Sequence, residues 1–119
     1  QLSDGSDLMY YQMRLVEGGV DPTSGGTLVS KSGVVTKLTV DEVEVEVLGY
    51  WQSPIDEVKY PSGWRVKIPN LGISLIVEPV LLNQELQGAF RYWEGAVRCS
   101  TEASGDSGNC WGYVELTGY

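Results

Sequence analysis

The chain has 119 residues, 42% hydrophobic and 20% charged, which suits one globular domain with a modest core and excludes a disordered, fibrous or low-complexity chain. Its 16 acidic against 8 basic residues give a net charge of −8, and no Lys/Arg cluster offsets it, so neither nucleic acid nor an anionic membrane is an expected partner. No apolar run approaches the roughly 18 residues of a membrane span. The absence of histidine removes Ser-His-Asp and Cys-His catalysis and His-based metal sites, and no metal or cofactor is expected.

Apolar and polar residues alternate with period two nearly everywhere, the pattern of strands with one buried face. In chain order, strands are predicted at Leu8 to Val16, Thr27 to Ser30, Val34 to Thr39, Glu42 to Tyr50, Gly63 to Ile68, Ile73 to Glu78, Arg91 to Cys99 and Cys110 to Thr117. The clearest is Asp41-Glu42-Val43-Glu44-Val45-Glu46-Val47, whose valines face a core and whose glutamates face water. Turn residues separate the strands: Gly18-Gly19 through Gly25-Gly26, Ser32-Gly33, Pro61-Ser62-Gly63, Pro69-Asn70-Leu71-Gly72 and Ser104-Gly105-Asp106-Ser107-Gly108-Asn109. Such short links favour antiparallel neighbours. Pro79 to Gly88 is the one stretch where a helical turn fits, through Leu82 and Leu86. The expected fold is an all-β, antiparallel, up-and-down barrel of about eight strands, spanning residues 1–119 as a single domain. The chain opens on Gln1 rather than Met, which fits a removed leader, an internal start in a longer reading frame or a trimmed tag.

Residues 91–117 carry most of the chemistry. If Cys99 and Cys110 face each other, every pair whose numbers sum to 209 is directly cross-strand. One face then holds Trp93/Leu116, Gly95/Val114 and Val97/Gly112. The other holds Tyr92/Thr117, Glu94/Glu115, Ala96/Tyr113 and Arg98/Trp111. Two carboxylates opposite each other repel unless solvent screens them or a shared proton holds them, and in a partly dry pocket one of the pair would keep its proton. This makes Glu94 and Glu115 candidate acids, with Tyr92, Arg98, Trp111 and Tyr113 as ligand contacts beside them. The competing reading is a solvated outer face with Arg98 neutralising part of its charge. For the cysteines, the alternatives are a disulfide and two buried free thiols.

Tyr92-Trp93-Glu94-Gly95-Ala96-Val97 and Gly112-Tyr113-Val114-Glu115-Leu116-Thr117-Gly118-Tyr119 resemble the closing motifs of the lipocalin-like secreted hydrolase and carotenoid 1,2-hydratase family. Leu8 to Arg14, Gly26-Thr27-Leu28-Val29, Tyr50-Trp51 with Ser53-Pro54, Tyr60-Pro61 with Trp64, Glu78-Pro79 and Gln84-Glu85-Leu86 continue the likeness in order. Members of that family carry two lipocalin-like barrels, and this chain resembles the second. The resemblance implies a barrel with a pocket for apolar, often isoprenoid-like molecules. Some relatives hydrate or cyclise such molecules. It also implies an extracytoplasmic location, periplasmic or secreted, in keeping with a Cys99–Cys110 disulfide.

Elsewhere, Trp51, Trp64, Trp93 and Trp111 with the seven tyrosines are either cavity lining or core packing. Arg65 and Lys67 alternate with apolar neighbours and are expected in solvent. Glu78 ends its strand before Pro79 and is a third candidate acid. The expected function is binding of a small apolar molecule, alone or as a homodimer that covers free strand edges. The alternatives are a non-catalytic half of a two-barrel protein with a partner barrel, and hydratase- or isomerase-like acid catalysis.

Overall fold

The computed structural model describes residues 1–102 and 110–119. Eleven strands run through them: β1 Asp7–Tyr11, β2 Gly25–Val29, β3 Val35–Thr39, β4 Glu44–Val47, β5 Tyr50–Gln52, β6 Lys59–Pro61, β7 Trp64–Ile68, β8 Ile73–Pro79, β9 Glu85–Gln87, β10 Arg91–Thr101 and β11 Cys110–Thr117. Every pairing between them is antiparallel. β1, β2 and β3 form one sheet. β11, β10, β8, β7 and β4 form a second, in that order, with β9 also on β10, and β5 and β6 form a two-stranded ribbon. The larger sheet curls as half a barrel, so the architecture is the expected antiparallel, lipocalin-like one. No helix among the described residues is long and apolar enough to cross a membrane.

The strand count exceeds eight because several apolar runs are cut by local chemistry. The first run stops at Tyr11: the Met13 N–H goes to Ser24 Oγ (3.0 Å) instead of a ladder partner, and only the Arg14↔Val20 bridge follows. The run from Glu42 begins late, because Glu42 Oε2 accepts from both the N–H and the hydroxyl of Thr39 (2.9 Å each) and closes a short 3-10 turn over Val40–Glu42. It also ends early. At Leu48 and Gly49 the chain turns outward, with Leu48 donating to Gly63 O (2.9 Å) and Ser62 to Gly49 O (2.8 Å), and Tyr50–Gln52 leave to pair with Lys59–Pro61. The stretch given a helical turn is extended instead. Its Glu85–Gln87 pair with Arg91–Trp93, since Gln84, Trp93 and β10 supply the backbone partners that a helix would find within itself. The turn expected at 104–109 lies outside the described residues.

Register follows the alternation closely. Val43 is buried, Val45 half-buried, and Glu44 and Glu46 exposed, as the valine–glutamate pattern requires, whereas Val47, at the end of β4 where the chain leaves the sheet, is exposed and does not face the core. In the last hairpin the Cα partners are Cys99↔Cys110, Val97↔Gly112, Glu94↔Glu115 and Trp93↔Leu116, all summing to 209, and a disulfide joins Cys99 to Cys110.

Two core clusters fill the space the sheets enclose. Tyr60, Trp64, Trp93 and Val97 centre one, and Leu38, Val43 and Ile68 centre the other. Val45 and Val66 pack against both, so the clusters are continuous. Trp93 is 1% exposed and donates its indole N–H to Leu82 O (2.8 Å), which satisfies the one polar atom a buried tryptophan brings. Gly95 leaves room beside it for the Gln84 amide, which accepts from Ala96 N–H (3.0 Å); a Cβ at position 95 would overlap that side chain. Gly26 has a stricter reason: a Cβ there would overlap the Met9 carbonyl of the paired strand.

Candidate functional site

Three places combine chemistry with geometry. The first is the row singled out by sequence. Glu94, Arg98, Trp111, Tyr113 and Glu115 stand with Tyr92 on the outer face of β10 and β11, opposite the face that buries Trp93 and Val97. Trp111 is 56% and Tyr113 64% exposed. Glu94 faces Glu115, and Tyr113 hydrogen-bonds Glu94. Partial desolvation raises the Tyr113 phenol above its ordinary value, and the Glu94 charge and hydrogen bond add to the shift. Arg98 sits between Trp111 on one side and Glu78 on the other, so Glu78 belongs to this outer row too. Farther along the same face, Arg65 bridges Glu46 (2.5 Å) and Glu102 (2.8 Å).

The second place was not anticipated. Glu85, on β9, has a carboxylate only 1% exposed. It accepts from Ser53 Oγ (2.7 Å) and from Tyr60 Oη (3.1 Å), both residues being buried. Arg91 pairs with it through Nε (3.5 Å) and with Asp56 through Nη1. A carboxylate out of water needs such donors on its lone pairs, and here two hydroxyls and a guanidinium supply them. Aromatic rings close the surroundings: Trp51 stacks on Tyr60 at 6.0 Å and Tyr119 lies tilted against it at 5.6 Å. Arg14 holds Tyr119 there, its guanidinium 3.6 Å over the ring and its Nη2 donating to Thr117 O and Gly118 O (2.9 Å each). Burial pushes the Tyr60 phenol up, and the hydrogen bond and charge of Glu85 push the same way against Arg91. Tyr60 therefore stays a donor at neutral pH.

The third place is a cavity of about 350 Å³ that opens to solvent, with Ser3, Asp4 and Leu71 exposed at its edge. Leu28 of β2, Leu71, Ile73 and Leu75 of the β7 to β8 region, Leu2 and Cys110 give it aliphatic and sulfur walls. Its polar lining comes from Ser3, Asp4 and Ser6 on one stretch, with Thr101 at the end of β10. Asp4 Oδ1 accepts the N–H (2.9 Å) and hydroxyl (2.6 Å) of Ser6, which hold the Asp4 carboxyl below the usual range. The size is within the roughly 300–1,000 Å³ of small-molecule sites, and the gap between sheets at one end of a barrel is a common place for them. None of the six residues selected from the sequence lines this cavity; the disulfide does, through Cys110.

The sequence model of the AttH-like family matches this chain over residues 1–119. The chain belongs to the AttH-like family. Among solved structures, an AttH protein from Nitrosomonas europaea is 32% identical with a TM-score of 0.81, over 99% of this chain and 36% of that one. Kievitone hydratase from Nectria haematococca shares the fold at 17% identity and a TM-score of 0.65, over 98% of this chain and 36% of the enzyme. A comparison with curated proteins gives no match. The AttH-like chain thus spans little more than a third of either structure.

Of the four tryptophans weighed as cavity lining, Trp64 and Trp93 are core and Trp51 packs against it, whereas Trp111 is outside. The apolar part of the cavity's lining is aliphatic and sulfur instead of aromatic. What the sequence reading missed is the Glu85 cluster, although Ser53, Tyr60 and Glu85 all fall in motifs that carried the family likeness. A carboxylate between Gln84 and Leu86, close behind the apolar Val80-Leu81-Leu82, was the available signal.

Proposed function

We propose that this domain binds a small, mainly aliphatic molecule in the cavity beside the Cys99–Cys110 disulfide, as one barrel of a larger protein. The observation that carries the reading is the cavity: about 350 Å³, walled by Leu2, Leu28, Leu71, Ile73, Leu75 and Cys110. Transfer of alkyl surface into such a site is favourable by about 25 cal/mol per Å² buried. The test uses N-phenyl-1-naphthylamine, whose fluorescence rises in apolar surroundings. The wild-type chain should bind it saturably, and Leu28→Trp, which places an indole in the cavity, should bind at least tenfold more weakly with an unchanged far-UV spectrum. Equal binding by both would remove the cavity from consideration, and no binding by the wild type would favour a structural half that supports a partner barrel.

A second reading, acid catalysis on an isoprenoid-type molecule, has the Glu85 cluster in its favour. A carboxyl and a phenol inside an aromatic shell are groups suited to proton transfer at a double bond. Glu85→Gln separates the readings, because it would abolish turnover by the whole protein and leave probe binding in the cavity intact.

A further inference from the structure

The edge of the larger sheet carries an inference that goes beyond the cavity and shares with the reading above only its larger protein. We propose that an extended segment of that protein, from outside residues 1–119, pairs antiparallel with the free edge of β11 between Gly112 and Leu116.

The open edge follows from the ladder on the other side of the strand. β11 ends the larger sheet, with β10 as its neighbour. On β10, Glu94 and Ala96 turn their backbone groups away from β11: Glu94 N–H goes to Gln84 O (3.2 Å), Ala96 N–H to Gln84 Oε1 (3.0 Å), and Ala96 O accepts from Val80 N–H (2.9 Å). Antiparallel pairs alternate between exchanging both bonds and exchanging none, so Tyr113 and Glu115, which lie opposite Ala96 and Glu94, turn their own N–H and C=O outward. The two ends of the edge have the same phase. Gln1 N donates to Trp111 O (2.6 Å) and Trp111 N–H to Gln1 O (3.1 Å), and Arg14 Nη2 donates to Thr117 O (2.9 Å). Between them, the outward backbone groups of Tyr113 and Glu115 have no partner among the described residues.

The same two tethers decide what can enter. Gln1 precedes β1 and meets the start of β11, and Arg14 follows β1 and meets its end, so β1 lies alongside β11 and runs the same way without pairing to it. β1 is itself the end of its own sheet. Every strand pairing among the described residues is antiparallel, and one strand between β1 and β11, running against both, would continue that pattern around the barrel. The stretch from Gly112 to Leu116 is about 13 Å long at strand rise. A second copy of the chain would bring its own Gln1 and Arg14 to this edge, and in an antiparallel edge-to-edge pair they would fall on the ends already occupied. A single extended segment has no such obstruction. Its source is the remainder of a longer chain, since this one spans little more than a third of either structure that shares its fold.

The test is amide hydrogen exchange, read at single residues, in residues 1–119 alone and in the full-length protein. Tyr113 and Glu115 should exchange close to the unprotected rate in residues 1–119 and at least about a hundredfold more slowly in the full-length protein, while Gly112 and Val114, whose N–H groups face β10, stay slow in both. Glu115→Pro removes an outward N–H and leaves the β10 ladder whole, so in the full-length protein it should speed Tyr113 exchange at least about tenfold with Val114 still slow. Fast exchange of Tyr113 and Glu115 in both forms overturns the proposal. Slow exchange already in residues 1–119 overturns it too, by a second copy where dilution abolishes the protection and by the chain's own packing where it does not. Tyr113 exchange that stays slow in full-length Glu115→Pro overturns strand pairing as the cause of the protection. None of these outcomes involves the cavity, so a failure of probe binding there leaves this proposal standing, and the reverse holds.

Discussion

Replacing Glu85 by alanine removes the acceptor that two buried hydroxyls share. Ser53 and Tyr60 are each 2% exposed, so neither recovers a water when the carboxylate is gone. Hydrogen bonds to a charged group contribute about 1.5–3 kcal/mol each, and the orphaned donors retain their desolvation cost. Arg91 is 36% exposed and keeps Asp56, so its share is small after solvent screening. The sum is a loss of about 3–5 kcal/mol, in the range found for breaking a buried pair. Melting should fall by more than about 10 °C at this chain length. Urea unfolding followed by tryptophan fluorescence measures the loss, and Trp51, stacked on Tyr60, reports on the site directly. Glu85→Gln, which keeps size and one acceptor, should lose less than half as much. A cycle with Tyr60→Phe should show coupling of about 1 kcal/mol or more, as residues in one network do. A loss under about 1 kcal/mol for Glu85→Ala, or strict additivity with Tyr60→Phe, would refute the claim that these groups form one cluster.

Two further outcomes are expected. Gly26→Ala should destabilise the fold by about 2–3 kcal/mol in the same assay, because its methyl meets the Met9 carbonyl and Tyr10 Cα rather than a flexible side chain; unchanged stability would mean that β1 and β2 part at little cost. Stability should also fall as pH rises past about 10, since the unfolded chain releases the Tyr60 proton first while the folded phenol, held up by burial and Glu85, retains it. That contribution is intact below the unfolded value and disappears through the folded one, and Tyr60→Phe should flatten the alkaline slope of the urea midpoint.

The parts of this fold legible in sequence are those set by local pattern. Alternation along Val43 to Glu46 and the summed register of the last hairpin need only period two and one anchored pair. The breaks were hidden because Leu48, Tyr50 and Trp51 continue an apolar run whose interruption comes from Ser62 and Gly63, in the later link between β6 and β7. β9 was hidden for the opposite reason: Leu82 and Leu86 sit at helical spacing, and the competing backbone partners lie on β10. The Glu85 cluster joins residues 25 and 32 positions apart, and the cavity draws on residues from both ends of the chain, so neither is a feature of any window of sequence.

The same hairpin explains why the two interior places differ. β10 runs from Trp93, paired with Glu85, to Thr101, on the cavity, eight residues or roughly 26 Å at strand rise. At the first end the inward row of the sheet carries Trp93 and Trp64, and with Tyr60 these large rings leave the space filled. Toward the second end the row changes to Val97, Cys99 and Thr101 on β10 and to Leu75 and Ile73 on β8, while Cys110 faces Cys99 on β11. The enclosed width is set by the sheets and does not shrink with the side chains, so the change from rings to short aliphatic and sulfur groups leaves a gap. The gap opens to solvent, where Leu71 is 41% exposed, so a bound hydrocarbon chain gains by taking this aliphatic lining out of water. Occupancy should therefore stabilise the fold as well as the ligand.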